Sequence, residues 1–274
     1  MKKSIYTSIN LFVAFLMLTS CEDSIDLDLD TTKPRLVIDA GIAWEKGTDG
    51  AQQTIKISTT TDYYATEIPP VSNATVSVTN SEGIEFQFVE SQGTGEYVCT
   101  DFIPEINETY ELMVLVDGQT YTASEQLVAT PEITHIVQND EGGFFGENIE
   151  IKFYYQDNGE EDNFYLSEFN ADFLSFPEHN ATNDDLTQGN EMFESFIDED
   201  DDLETGDEIY VSLRGMSEQF YNYMTILLEN SGGNPFNTPS ANVRGNIINQ
   251  TDEGNYALGY FRLSEMDSAI HIVE

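Results

Sequence analysis

The chain is predicted to be mainly β: an N-terminal sandwich of immunoglobulin or transthyretin type, followed by a β-rich domain that carries one packed helix. Three observations predict this. Short period-two runs of apolar residues, each closed by Gly, Asp, Asn or Pro, recur from Arg35 onward. About seven of them fall within about 95 residues, the strand density of a small sandwich. One stretch alone, after Ser217, carries apolar residues at helical spacing.

The first element precedes the fold. Met1-Lys2-Lys3 leads into an apolar run ending Phe15-Leu16-Met17-Leu18. A positive n-region and a short apolar h-region direct secretion. The run is shorter than the roughly 20 apolar residues of a membrane span. Leu18-Thr19-Ser20-Cys21 sets a branched apolar residue and two small residues before a cysteine, which resembles the bacterial lipobox. The resemblance implies cleavage before Cys21, a diacylglycerol on its thiol and an acylated new amino terminus. Residues 1–20 are then a lipoprotein signal peptide, and Cys21 is the lipidation site that holds the chain to a membrane. Each buried CH₂ contributes about 0.8 kcal/mol, so several acyl chains anchor stably where one does not. Residues 21–34 read as an acidic tether, Glu22 to Pro34, whose carboxylates resemble the surface-export signals of Bacteroidota lipoproteins.

From Arg35 the strands follow in order. Leu36, Ile38 and Ala40 share one face; Ile55 and Ile57 another. Ala74, Val76 and Val78 precede the turn Asn80-Ser81-Glu82-Gly83, and Ile84, Phe86 and Phe88 follow it. Tyr97-Val98-Cys99 is a strand triplet, and Cys99 reads as a buried, inert thiol. Tyr110, Leu112, Val114 and Val116 lead to Asp117-Gly118, a two-residue hairpin turn whose positions need positive φ. Tyr121 to Leu127 returns. The sandwich is assigned to residues 35–130, with Pro131 as the boundary.

The second domain spans 131–274. Ile133–Val137 is a strand, and Ile149, Ile151, Phe153 and Tyr155 alternate cleanly with polar neighbours. Phe164-Tyr165-Leu166 and Ile209, Val211, Leu213 are further strands. Residues 170–208 read as aromatic patches among carboxylates. Ser217 is a good N-cap for a helix near 217–230, with Phe220, Tyr223, Met224 and Leu227 on one face. Val243–Ile248 and Tyr256–Leu263 read as a hairpin across Asp252-Glu253-Gly254-Asn255, and Ile270–Val273 as a last strand.

Ten basic against 51 acidic residues give a net charge of −41. That excludes nucleic acid as a partner, because phosphate binding needs Lys and Arg. It favours cations or a basic partner patch. Disorder is excluded by a 39% hydrophobic and 12% aromatic content, enough to build cores. With Cys21 carrying lipid, Cys99 has no disulfide partner.

Few residues point to chemistry. Asp198, Asp200 and Asp202 sit at alternate positions where carboxylates converge on a hard cation such as Ca²⁺, but Leu203 stands where an EF-hand loop needs Gly. A metal there is the one cofactor expectation. His135, His179 and His271 lie in no metal-ligand spacing, and no nucleophile elbow, HExxH or phosphate loop occurs, so no enzymatic activity is expected. Tyr63-Tyr64, Tyr154-Tyr155, Phe173 and Phe176 invite a sugar-binding reading but read mainly as core or strand-face residues, with Trp44 the one tryptophan. Phe144 and Phe145, flanked by Gly142, Gly143 and Gly146, are expected to be exposed as a partner contact. Asp23-Ser24-Ile25, Asp30-Thr31-Thr32 and Asp267-Ser268-Ala269 resemble a Bacteroidota O-glycosylation motif.

The order of features resembles one family. The cysteine precedes Ile25-Asp26-Leu27-Asp28-Leu29; Leu36-Val37-Ile38-Asp39-Ala40-Gly41 opens the fold; Gly118-Gln119-Thr120-Tyr121 follows a hairpin. Late in the chain stand Asn234-Pro235-Phe236-Asn237-Thr238-Pro239, Asn242-Val243-Arg244-Gly245-Asn246-Ile247 and Ala257-Leu258-Gly259-Tyr260-Phe261. Together they resemble the Bacteroidota lipoproteins grouped as domain of unknown function 4249. The resemblance transfers no catalytic residue. It implies, by genomic association, an accessory subunit of a TonB-dependent outer-membrane transporter. The expectation is an outer-membrane lipoprotein, non-enzymatic, with both membrane faces left open. The alternative is a structural or adhesive surface protein with calcium-binding acidic loops.

Overall fold

A computed structural model of the chain describes residues 33–62, 65–199, 202–231 and 243–274. The signal peptide, Cys21, the tether to residue 32, Tyr63-Tyr64, Asp200 and the segment 232–242 lie outside the described residues. Residues 34–274 form one compact unit. It is mainly β, with one helix among the described residues.

Seven strands come from the first half: β1 Leu36–Glu45, β2 Gln53–Thr59, β3 Thr75–Asn80, β4 Glu85–Glu90, β5 Glu96–Cys99, β6 Thr109–Val116 and β7 Gln119–Val128. Their apolar residues point inward at every second position, as in β6, where Tyr110, Leu112, Val114 and Val116 are buried and their neighbours exposed. The Asp117-Gly118 turn has φ of 51° and 74°, as its hairpin requires.

The last strand, β15 Leu258–Ile272, completes this set. It pairs in parallel with β1 from Val37↔Leu258 to Glu45↔Met266, and with β7 at Leu263↔Leu127 and Ser264↔Val128. The strand order β15-β1-β2-β5-β4-β3-β6-β7 therefore returns to β15, and eight strands make a barrel-like ring. Its interior holds Ile38, Ile42, Ile55, Ile57, Val76, Tyr97, Tyr110, Leu112 and Phe261, each fully buried or nearly so. Burying such side chains contributes about 1.5–3 kcal/mol apiece. Cys99 lies in this core as a free thiol, and burial pushes its pKa up.

Past Ser264, β15 exchanges β7 for a new neighbour on one edge while it stays paired with β1 as far as Met266. It pairs antiparallel with β13 Glu208–Met216, which continues to β10 Phe164–Asn170 and β11 Glu178–Asn183. A separate three-stranded sheet, in the order β12-β9-β8, comprises β8 Ile133–Gly142, β9 Asn148–Gln156 and β12 Glu191–Ile197. Ile151, Phe153, Tyr155 and Phe196 from this sheet meet Tyr165, Phe169, Val211 and Leu213 from the other in a second core.

The helix α1, Glu218–Ser231, begins where Ser217 caps it: the Phe220 amide donates to the Ser217 hydroxyl at 3.2 Å. Phe220 is buried and Tyr223 and Met224 partly so, against Leu166, Met216 and Tyr260. Leu227 stays exposed. The expected hairpin between Val243–Ile248 and Tyr256–Leu263 does not form. The first of these segments reaches a strand only at its end, in β14, Ile248–Asn249, which pairs with β7, while the second lies largely in β15. The Asn246 amide takes the place of a ladder, bonding the Phe261 carbonyl and amide at 2.8 and 2.9 Å.

Candidate functional site

The connection between β8 and β9 carries the most exposed aromatic pair among the described residues. Gly143 and Gly146 adopt φ of +70° and +72°, a left-handed conformation that glycine enters without a Cβ penalty. Between them Phe144 and Phe145 are 95% and 81% exposed, their rings edge to face with centroids 5.0 Å apart. Asp140, Glu141 and Glu147 flank them, all exposed. The base of the hairpin is fixed: the Glu141 amide donates to Asn139 Oδ1 at 3.1 Å, and the Asn148 side-chain amide donates to the Asp198 carbonyl at 2.8 Å. The result is an apolar tip in an acidic collar at the end of a hairpin.

The outer face of the same sheet carries an aromatic row. Register sets His135 beside Tyr154 and Tyr154 beside Phe193. The His135 and Tyr154 rings stack at 4.4 Å and 4°; Tyr154 and Phe193 lie 5.7 Å apart. Lys152 Nζ sits 5.2 Å from the Phe193 centroid and 2.8 Å from the Glu150 carboxylate. His135 covers one face of Tyr154 and Phe193 tilts against it, so the row is a cross-strand zipper more than an open stacking platform.

The acidic loop after β12 is organised around Asp198. That residue is buried, and its two carboxylate oxygens accept the amides of Asp202, at 3.1 Å, and Leu203, at 2.8 Å. Leu203 is itself buried, which is why the loop turns inward. Asp202 is exposed, and Asp200 lies outside the described residues. The alternation of 198, 200 and 202 thus reaches the structure as one anchored carboxylate and one solvated one. Among the described residues no group of three or more His, Cys, Asp or Glu is placed to hold a metal ion.

The second core contains a polar cluster. Glu194 is buried, and its carboxylate accepts the Tyr155 hydroxyl at 3.3 Å, the Ser167 hydroxyl at 3.2 Å and the Asn180 amide at 2.7 Å. Asp157, also buried, accepts the Tyr165 hydroxyl and the Gly189 amide, each at 2.7 Å. Burial is the main cause that pushes the Tyr155 and Tyr165 phenols up, so both remain donors. Asp184 is buried beside Asp157 with its Oδ2 unpartnered, and burial raises its carboxyl.

A family model described as domain of unknown function DUF4249 matches residues 22–269. The chain belongs to the DUF4249 family. No curated protein matches it. Among solved structures, this DUF4249 chain is similar to a two-domain fibronectin type-III segment of chicken tenascin, at 8% identity over 67% of this chain and 91% of that one, with a TM-score of 0.22. It is also similar to a DUF4785 family protein from Legionella pneumophila, at 10% identity over 66% and 52% of the two chains, with a TM-score of 0.25. Scores this low bear on neither fold nor function.

Among the described residues of the DUF4249 chain, Phe144, Phe145, Asp198 and Asp202 do not converge on one site. Phe144-Phe145 and Asp198 are joined through the hairpin base, where the Asn148 side chain donates to the Asp198 carbonyl and the Asp198 amide donates to the Ile149 carbonyl. Glu194, Asp157 and Asp184 gave no sign in the sequence, since single carboxylates in so acidic a chain carry no pattern. The parity of β9 does hint at the aromatic row, because Tyr154 must face away from Phe153 and Tyr155.

Proposed function

We propose that the chain is an outer-membrane lipoprotein, anchored by lipid on Cys21, and works as a non-enzymatic accessory or ligand-binding subunit of a TonB-dependent transporter. The lipobox-like Leu18-Thr19-Ser20-Cys21 supports the anchor. The observation that carries the accessory role is the Phe144–Phe145 tip: two apolar rings held in water on a braced hairpin are a contact awaiting a partner. Family membership is consistent with this role and assigns no catalytic residue. We also read residues 35–130 as the immunoglobulin- or transthyretin-type sandwich that the strand spacing predicts, with its two layers joined at one edge by the last strand.

The test is a mild-detergent pull-down of the tagged chain from native membranes, wild type beside Phe144→Ala/Phe145→Ala. Stoichiometric recovery of a TonB-dependent transporter by wild type, with loss in the double variant, is expected. Recovery of the wild-type chain alone contradicts the proposal and favours the adhesive reading. Intact mass supplies the second check: an unlipidated Cys21 in the membrane fraction removes the anchor.

A further inference from the structure

We infer that the open edge of β12 is a docking site for an extended basic peptide, which joins the three-stranded sheet as a further strand. The register fixes which backbone groups are free. The Asp157 amide donates to the Asn190 carbonyl at 3.1 Å, and the Asp198 amide to the Ile149 carbonyl at 3.0 Å. Both pairs continue the register that sets Met192 opposite Tyr155 and Phe196 opposite Ile151. Opposed residues of an antiparallel ladder alternate between bonded and non-bonded pairs. The even-numbered residues of β12 therefore bond β9, while Glu191, Phe193, Ser195 and Ile197 turn their amides and carbonyls the other way. β12 is the edge strand of its sheet on that side. Among the described residues no hydrogen bond reaches the main chain of those four.

A groove of about 380 Å³ runs beside this edge. Consecutive residues from Ser195 through Ile197 to Glu199 line it, so it follows the edge of the strand and not one face of the sheet. Phe173 and Leu174, from the connection between β10 and β11, and Glu178, the first residue of β11, complete the lining. Phe173 and Leu174 pack, partly buried, against the second core, which makes that part of the groove apolar. Outward groups at every second residue of β12 recur about 7 Å apart, the spacing at which an added strand presents its own amides and carbonyls.

Charge selects the occupant. Glu178 and Glu199 both line the groove, and desolvation, followed by the Glu199 charge, holds the Glu178 carboxyl above its ordinary value. Among the described residues neither carboxylate has a Lys, Arg or His at ion-pair distance. A Lys or Arg on the added strand lays its methylenes over Phe173 and Leu174 and brings its charge to the two carboxylates. A second copy of this chain is disfavoured, because a net charge of −41 repels its like. Main-chain bonds to β12 supply affinity, and alternate side chains supply selectivity. The docking site does not depend on the transporter role.

The test is fluorescence anisotropy of a labelled peptide of alternating Lys and Val, the same length as β12, titrated with the purified full chain at about 0.15 M salt. Saturable one-to-one binding is expected. Two N-methylated peptides, one modified at the odd amides and one at the even, keep the charge and each lose the donors of one edge. One of them should bind roughly tenfold more weakly than the other. A contact made by charge alone treats them alike, so equal affinities overturn strand addition, and this comparison needs no variant of the protein. Glu178→Gln/Glu199→Gln, at exposed positions, should weaken the unmodified peptide roughly fivefold with the melting temperature retained; unchanged affinity overturns the assigned groove. Absence of saturable binding overturns the proposal outright. So does a dimer of the peptide-free chain, seen by light scattering, that Ser195→Pro returns to monomer by removing one outward amide, since β12 then pairs with a second copy.

Discussion

Glu194 illustrates what one residue does in the second core. Its carboxylate accepts three donors from three strands, and no cation stands among them. Truncation removes the buried acceptor of the Tyr155 hydroxyl, while Ser167 and Asn180 keep second partners, so Glu194→Ala should cost about 1–3 kcal/mol in a urea unfolding experiment, with Glu194→Gln costing less. Asp184 behaves oppositely. Burial raises its carboxyl above the ordinary value of 3.8, so folding favours the neutral form. Its stabilising contribution is complete below the unfolded pKa and is lost as pH rises through the folded pKa. Asp184→Asn should therefore raise the melting temperature at pH 7 and have little effect near pH 3; a lower melting temperature at pH 7 would contradict this account. Neither residue was legible in the sequence. Met192, Phe193 and Phe196 sit at both parities of β12, so alternation alone does not reveal that Glu194 faces inward and Phe193 outward.

The elements of the first half were legible because each strand buries one face and each turn carries its own residue chemistry. β6 and β7 follow the expected hairpin around Asp117-Gly118, and β1 to β5 fall where the alternation puts them. The helix was legible from its cap and spacing. Residues 170–208 were not, because β11 is short and nearly without apolar residues, and an edge strand needs few. The late hairpin failed for a different reason. Gly259 adopts φ of +97° and its α-carbon lies against the Ile38 carbonyl, so the segment is built for close approach to β1 and not for pairing with 243–248. Gly259→Ala combines backbone strain with a backbone clash and should destabilise by more than about 3 kcal/mol in chemical denaturation. Phe144→Ala/Phe145→Ala, by contrast, should leave stability within about 0.5 kcal/mol, since the rings contact little but each other.

Across the whole molecule, β15 belongs to both cores. Its first residues close the barrel-like ring against β1 and β7, and its last residues extend β13, β10 and β11. Damage to either core must strain this strand, so calorimetry should show one transition whose van't Hoff and calorimetric enthalpies agree. Ile57→Ala in one core and Val211→Ala in the other should each shift that single peak; two separated peaks would show that the cores unfold independently. Sequence reading could not foresee this coupling, because it saw Tyr256–Leu263 and Ile270–Val273 as two strands and missed Ser264–Ala269 between them. That stretch alternates little, being half-buried on both sides.

The parallel pairing of β1 with β15 also has a consequence in time. A ribosome delivers about 5–20 residues each second, and about 220 residues separate Leu36 from Leu258, so the first strand waits roughly 10–45 s for its neighbour to exist. During that interval β1 offers an unpaired edge to any passing chain. A factor that shields Leu36–Glu45 while synthesis finishes would therefore act on an edge that stays open until the last strand arrives.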